Sequence, residues 1–310
     1  MAVDQVFKRS CKLMGNRFEL SVVGPNEKRA NEIIDLSIAE ISRIEKLLTT
    51  FSEESETNQI NSKAGIRPVA VSRETFELIK RSVNISKLTQ GAFDITYGSI
   101  DKSLWNFDQE MKSLPDPETA KKMVRLINYR KVILDEENCT VFLSKAGMRI
   151  GFGGIGKGYA AERAKLLMKQ QGVTSGVVNA SGDLTAWGLQ PNGEKWTIGI
   201  VNPDASGQVF SYLSVSDLAV ATSGNYEKYV IIGGKKYSHT INPRTGMPVT
   251  GIKSVTIITT NAEIADAMAT PVTIMGVQAG LDLINQMKNI EAIIITDDDG
   301  LYTSKNINLR

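Results

Sequence analysis

The chain has 310 residues, 42% of them hydrophobic and 23% charged, the balance of an ordinary globular protein with a substantial core. Its 36 basic and 34 acidic residues leave a net charge of +2, so no basic field points to nucleic acid or to an anionic membrane surface. No apolar run approaches the roughly 18 residues that a membrane span needs.

Residues 6–23 read as a hairpin turned at Met14-Gly15-Asn16-Arg17. Across 26–50, Ala30, Ile33, Ile34, Ile38, Ile41, Ile44 and Leu48 recur at helical spacing, which predicts a long amphipathic helix. The polar run FSEESETNQINSKAG, residues 51–65, reads as an ordered loop with a short helical turn. A second helix covers 73–89 and stops at Gly91. GAFDIT, residues 91–96, sets Asp94 between Phe93 and Ile95 in a strand-like run. An acid in that setting is either hydrogen-bonded to backbone or poised for function. Asp116-Pro117-Glu118 starts a helix, with Asp as its cap and Pro at the first helical position. YRKVILD and CTVFLS form a hairpin around 136–138.

MRIGF, residues 148–152, reads as a strand feeding a glycine loop and then a helix to about Gln171, closed by Gly172. Short strands dominate from 174 to 259. Two helices, 262–270 and 277–288, and a hairpin across 297–300 complete the chain, with Pro271 expected to end the first of them. Regular strand–helix–strand units are missing, so the pattern predicts an α+β fold with mixed or antiparallel sheets and packed helices. One compact unit with two lobes about a cleft is expected. Cys11 and Cys139 lack the spacing of a zinc, iron–sulfur or nucleophile site, and read as small apolar residues.

Three segments carry chemistry. His239 is the only histidine, and it stands at a strand mouth just before the turn Asn242-Pro243-Arg244-Thr245-Gly246. Histidine is the side chain whose ordinary pKa lies near neutrality, so it is either the proton carrier or a structural residue at a strand end. GFGGIGKG, residues 151–158, has five glycines in eight residues, a loop through which backbone can approach a phosphate ahead of a helix N-terminus. It nearly fits two nucleotide motifs. The acidic ribose ligand of a dinucleotide fold is missing, and Gly158 stands where a P-loop needs Ser or Thr, so neither of those folds is predicted. Asp266 and Thr270 are four apart and share one helix face. Their oxygens either suit Mg²⁺ or belong to an ordinary half-buried helix.

The order of KLMGNRFE, TFSEESETNQIN, GAFDIT, GGIGKGYAAE, NASGD, ATSGNYEKY, SHTINPRTG and ADAMAT resembles that of the ApbE family, the FAD:protein FMN transferases, from Lys12 to about Ile295. The resemblance implies that FMN passes from FAD to a threonine or serine hydroxyl of another protein while AMP leaves. It implies one ApbE-type domain over 1–310 with a core from 6 to 300, a T-fold-like architecture, and FAD in a cleft between lobes. By the same resemblance Met14, Phe51, Ala92, Phe93, Asp94 and Lys157 line FAD, and Thr240 and Ile241 adjoin it. Mg²⁺ is expected on Asp266, Thr270 and the carbonyls of Gly154 and Ala269, with His239 as base and Asp94 the first carboxylate to examine in its place. The implied partner is an acceptor flavoprotein of respiratory or redox type carrying an FMN-binding Thr/Ser motif. Four positions depart from the family: Gly151 replaces an Asp, Asn16 a Thr, Glu162 an Asp, and Phe51 lacks the hydroxyl of a tyrosine.

Residues 1–10 lack the apolar stretch of a secretion leader. The expectation is therefore a cytoplasmic protein if Met1 is the native start, and a periplasmic or membrane-anchored one, the family norm, if a leader was removed. Three other readings compete. An FAD pyrophosphatase would use the same site with water in place of the hydroxyl. A non-catalytic flavin carrier would need neither metal nor base, and a nicotinamide oxidoreductase lacks its ribose ligand.

Overall fold

The structure, a computed structural model, describes residues 3–101, 103, 111–201, 209–224 and 229–307. The first hairpin, β1 (Gln5–Leu13) and β2 (Asn16–Gly24), turns through Met14 and Gly15, both at positive φ (51° and 72°). Helix α1 (Glu27–Leu48) starts at Asn26, whose side chain accepts the Arg29 amide, and it buries Ala30, Ile33, Ile34, Ile41, Ile44 and Leu48. Then come α2 (Glu56–Ser62), β3 (Val69–Ala70), α3 (Arg73–Leu88) and α4 (Pro117–Met123), the last opened by Asp116 and Pro117 as the sequence predicts. The hairpin β4 (Val132–Asp135) and β5 (Thr140–Leu143) leads to α5 (Gly156–Gln170). A run of strands follows: β6 (Gly176–Ala180), β7 (Asp183–Trp187), β8 (Trp196–Val201), β9 (Val209–Val215), β10 (Leu218–Gly224), β11 (Tyr229–Ile232), β12 (Lys235–Ser238) and β13 (Ile252–Thr259). The chain ends with α6 (Ala262–Met275), α7 (Val277–Ile284), β14 (Ile290–Thr296) and β15 (Leu301–Thr303).

Eight strands make one sheet in the order β1-β2-β6-β7-β10-β13-β14-β15, every pairing in it antiparallel. Alternation along β10 assigns the two faces. Ala219 and Ala221 join the large core with α1, α3, α5 and α6, whereas Val220 packs with Leu184, Ala186, Trp196 and Val215 under the β8–β9 hairpin. A one-residue slip would exchange these sets, so burial on both faces pins the register. The fold is α+β, as expected, and the described pairings are antiparallel rather than mixed. No described helix is long and apolar enough to cross a membrane.

Four local expectations are corrected. Residues 148–152 pair with no strand: Asn61 satisfies both the amide and the carbonyl of Ile150 (2.8 and 3.1 Å), Ser99 accepts the Arg149 amide, and Ile95 accepts the Gly151 amide. With these polar groups met by side chains and by the Ile95 carbonyl, the segment needs no ladder. GAFDIT is no strand either. It is a turn leading into a short 3-10 helix, Ile95–Ser99, which Asp94 caps. Pro271 lies inside α6 instead of ending it. The missing proline N–H leaves the Ala267 carbonyl without its helical donor. Burial of Ala265, Ala267, Met268, Ala269, Pro271 and Val272 outweighs that loss, because packing rather than propensity holds most helices in proteins. The following helix is also shorter than expected and stops at Ile284. Residues 225–228 of the ATSGNYEKY run lie outside the described residues.

Candidate active site

The glycine loop runs directly into α5, whose first turn has no side-chain cap of its own. The cap comes from α6. Asp266 Oδ2 accepts the Gly158 amide at 2.9 Å, and the Lys157 amide also donates to that carboxylate. The favour is returned by Glu162 of α5, which accepts the Ala262 amide in the first turn of α6 at 3.0 Å. The two helices thus cap each other across a close crossing. Gly158 permits it: a Cβ there would stand 2.1 Å from the Ala262 carbonyl oxygen and 2.6 Å from Asp266 Cβ. The Gly158→Ala variant is expected to force the helices apart and cost about 1–3 kcal/mol of stability, the usual range for overpacking. Thermal unfolding in the absence of ligand checks this, and an unchanged melting temperature would show that the crossing can relax.

Asp266 is buried beside a second buried carboxylate, Asp183. Asp183 follows a two-residue turn between β6 and β7, Ser181 and Gly182, both at positive φ. Lys157 Nζ forms an ion pair with Asp183 Oδ2. Burial pushes the Asp266 carboxyl up to about 7, and the Asp183 charge adds to the rise, against the opposing pull of Lys157 and the two amides. Sequence reasoning passed over Asp183. The signal was the NASGD run, which alone reads as a polar turn.

The other expected residues converge on this loop from three sides. Phe93 lies against Gly154, its ring carbon 3.5 Å from where a Cβ would stand, and Met14 Cε approaches Gly156 to the same 3.5 Å. Thr50 borders Gly151 at 4.0 Å, which brings the Phe51 loop alongside. Phe51 itself is 98% exposed. Asn58 holds that loop by donating to the carbonyls on both sides of Phe51, Thr50 and Ser52, at 2.8 Å each. Asn58 and Asn61 are positioning residues that the sequence marked only as part of a polar run. Ala92 is buried. Asp94 accepts from the Thr96 amide and hydroxyl (2.8 and 2.6 Å) and from the Tyr129 amide (3.0 Å). Burial raises its pKa, opposed by these three bonds. Both of its oxygens are therefore committed to holding the turn.

His239 is exposed and directly follows β12. On either side of it the backbone is anchored: Ser238 Oγ accepts the Thr240 amide at 3.0 Å, Val249 donates to the Thr240 carbonyl at 2.9 Å, and Ile241 bridges to Pro248. Buried Ile241 packs with Ile100, Ala120 and Val124. Gly246, at φ 73°, passes so near α4 that a Cβ would stand 2.0 Å from the Ala120 oxygen. Arg244 closes the connection by donating to the carbonyls of Thr89 and Gln90, just ahead of Ala92 and Phe93. The turn that follows His239 is therefore tied to the residues just ahead of Phe93.

Thr270 lies one turn beyond Asp266 in α6, half-buried, and the Ala269 carbonyl accepts the Thr273 hydroxyl at 3.0 Å. Among the described residues, no group of three or more His, Cys, Asp or Glu is placed to hold a metal alone. A cation at Asp266 would need hydroxyl, carbonyl and substrate oxygens as well. The amides of Lys157 and Gly158 point at Asp266 and not outward, so the first turn of α5 does not offer them to an anion as expected. A cavity of about 480 Å³ opens elsewhere, between α3, α5 and α6, lined by Glu74, Arg81, Tyr159, Arg163 and Glu263. Arg81 pairs with Glu263 and Tyr159 donates to Glu74, and none of the expected site residues lines it.

The sequence pattern of the ApbE family matches residues 14–294. A protein of Klebsiella pneumoniae (strain 342) described as FAD:protein FMN transferase is 34% identical over 312 residues, covering 100% of this chain and 95% of its own length. One of Treponema pallidum (strain Nichols) with the same description is 30% identical over 278 residues, 85% of this chain and 76% of its own length. Among solved structures, the ApbE protein of Thermotoga maritima MSB8 superposes with a TM-score of 0.86 at 30% identity, covering 97% of both chains. The apo flavinyl transferase ApbE of Pseudomonas stutzeri gives 0.82 at 25% identity, over 97% of this chain and 95% of that one.

Proposed function

Since the chain belongs to the ApbE family, we infer that it is an FAD:protein FMN transferase, moving FMN from FAD to a threonine or serine hydroxyl of an acceptor protein. The hydroxyl oxygen attacks the phosphorus on the FMN side of the pyrophosphate, the bond to the AMP oxygen breaks, and AMP leaves. The hydroxyl proton passes to His239. The observation that carries this reading is the meeting of Lys157, Asp183 and Asp266 at the glycine loop, beside Met14 and Phe93. That cluster offers charge for a pyrophosphate and apolar surface for a ring.

A divalent cation fits the donor set, because a buried carboxylate whose pKa burial has raised favours a positive neighbour, and a hydroxyl stands one turn away. Asp266 and Thr270 would hold Mg²⁺, with the Gly154 and Ala269 carbonyls. Bound there, it would neutralise charge on pyrophosphate oxygens. Lys157 carries positive charge to the same place, and His239, exposed on its anchored loop, is open to a macromolecular acceptor.

Incubation with FAD, Mg²⁺ and a candidate acceptor tests the reading. The acceptor should gain the mass of FMN less water, with AMP released in equal amount. AMP release without a change in acceptor mass would instead establish the pyrophosphatase. Phe51, held exposed between the two anchored carbonyls, gives a second check. Phe51→Leu is expected to weaken FAD binding by about 1 kcal/mol through lost ring stacking. Flavin fluorescence titration reads it, and an unchanged Kd would remove Phe51 from the binding surface.

A further inference from the structure

We propose that Asp183 is a positioning residue for Lys157, fixing the ammonium at the start of α5 so that its charge meets the FAD pyrophosphate at one place. This rests on the transferase reading above.

Lys157 Nζ pairs with Asp183, which is 4% exposed, and the lysine belongs to the first turn of α5. A long flexible side chain with four rotatable bonds does not hold one position unaided, and a buried carboxylate removes that freedom. Asp183 is itself rigidly delivered. It opens β7 directly after the two-residue turn, and the Gly182 amide is held by the Asn179 side chain at 2.8 Å. The carboxylate of Asp266 lies close enough to raise the local negative charge further. The arrangement sets two acids against one base, so Lys157 is attracted inward as well as toward an incoming phosphate. Asp183 thus places the ammonium while tempering its attraction for the substrate.

Three variants distinguish placement from mere structural support. Lys157→Ala removes the charge that meets the pyrophosphate and leaves Asp183 facing it, so FAD affinity should fall about tenfold or more, the scale of one charge-assisted hydrogen bond. Asp183→Asn keeps the shape and removes the charge that holds the ammonium. Its FAD Kd should be no weaker than wild type, since a negative charge beside the phosphate is lost, while the rate of AMP release at saturating FAD falls about tenfold or more, a split between binding and turnover. The double variant should bind FAD more tightly than Lys157→Ala, because the negative charge of the carboxylate beside the phosphate is gone. Binding is read by flavin fluorescence with Mg²⁺ present, and turnover by AMP release with a saturating acceptor protein that the wild-type chain flavinylates.

A structural role predicts accumulating defects, so a double variant that binds FAD more weakly than Lys157→Ala overturns the proposal. Lys157→Arg gives a comparison that leaves the charge in place. It should keep FAD affinity within about threefold yet lose turnover, since the guanidinium cannot occupy the point where the ammonium sits. Turnover equal to wild type would overturn the placement argument. A wild-type chain that binds no FAD sinks the transferase reading and this proposal together. One that binds and cleaves FAD, but whose double variant is weaker, sinks the positioning role alone.

Discussion

Exchange of Asp266 for asparagine is expected to lower FMN transfer by about three orders of magnitude, because it removes the carboxylate through which a metal ion would neutralise pyrophosphate charge, an effect of several kcal/mol. Alanine is the poorer test. Asp266 caps the first turn of α5 through the Gly158 and Lys157 amides, so alanine would remove a helix cap as well as a ligand. Asparagine retains an acceptor for Gly158 and removes the charge that faces Asp183. The two effects then separate by pH. In the metal-free protein the Asp266 carboxyl is pushed up to about 7 by burial and by Asp183, whereas an unfolded carboxyl ionises near about 4. Between those values the folded chain holds a proton that the unfolded chain has lost. This group's contribution to stability therefore falls as pH rises from about 4 to about 7, and is constant above. Asp266→Asn should flatten that slope and leave the metal-free protein at least as stable as wild type at pH 8. Melting temperatures in chelator across pH 4–8 read the first result, and transfer at saturating Mg²⁺ reads the second. Wild-type turnover in a folded Asp266→Asn protein would remove Asp266 from the chemistry and leave it a cap.

The parts of this protein legible in its sequence are those set by local pattern. The apolar spacing of α1, the Asp116-Pro117 start of α4 and the turn at 14–15 are encoded within a few residues of where they act. The errors share a cause. GAFDIT looked like a strand because four apolar or β-branched residues flank an acid, yet the decisive interactions of Asp94 run to Thr96 and across to Tyr129, 35 residues away. Pro271 should have ended α6 by backbone chemistry, and burial by distant elements overrode it. Asp183 was missed for the same reason: its meaning arises only when the β6–β7 turn lies against a helix whose Lys157 stands 26 residues earlier. Candidate residues on one helix, such as Asp266 and Thr270, were accessible to periodicity. Those that act across elements were accessible only to the fold.

His239→Ala should retain FAD affinity but lose about two to four orders of magnitude in transfer rate, the usual contribution of a general base. The case begins with placement. The backbone on both sides of His239 is fixed, at Ser238 and Thr240 by hydrogen bonds and at Ile241 by burial, while the imidazole remains exposed. A residue that only filled space would be turned the other way. Arg244 ties the same loop to the carbonyls of Thr89 and Gln90, so its position is set relative to the turn that carries Phe93. The chain has one histidine, so no other imidazole can substitute for it. The alternative base, Asp94, is weakened by the structure, since both of its oxygens accept hydrogen bonds that hold the turn. FAD binding by fluorescence and transfer at saturating FAD and acceptor, measured on the same preparation, separate the roles. Added imidazole should restore part of the lost rate by supplying the missing base, and it cannot repair a lost binding contact. If His239→Ala binds FAD weakly yet transfers normally once saturated, the residue is a contact for the flavin nucleotide, and the proton of the acceptor hydroxyl must leave by another route.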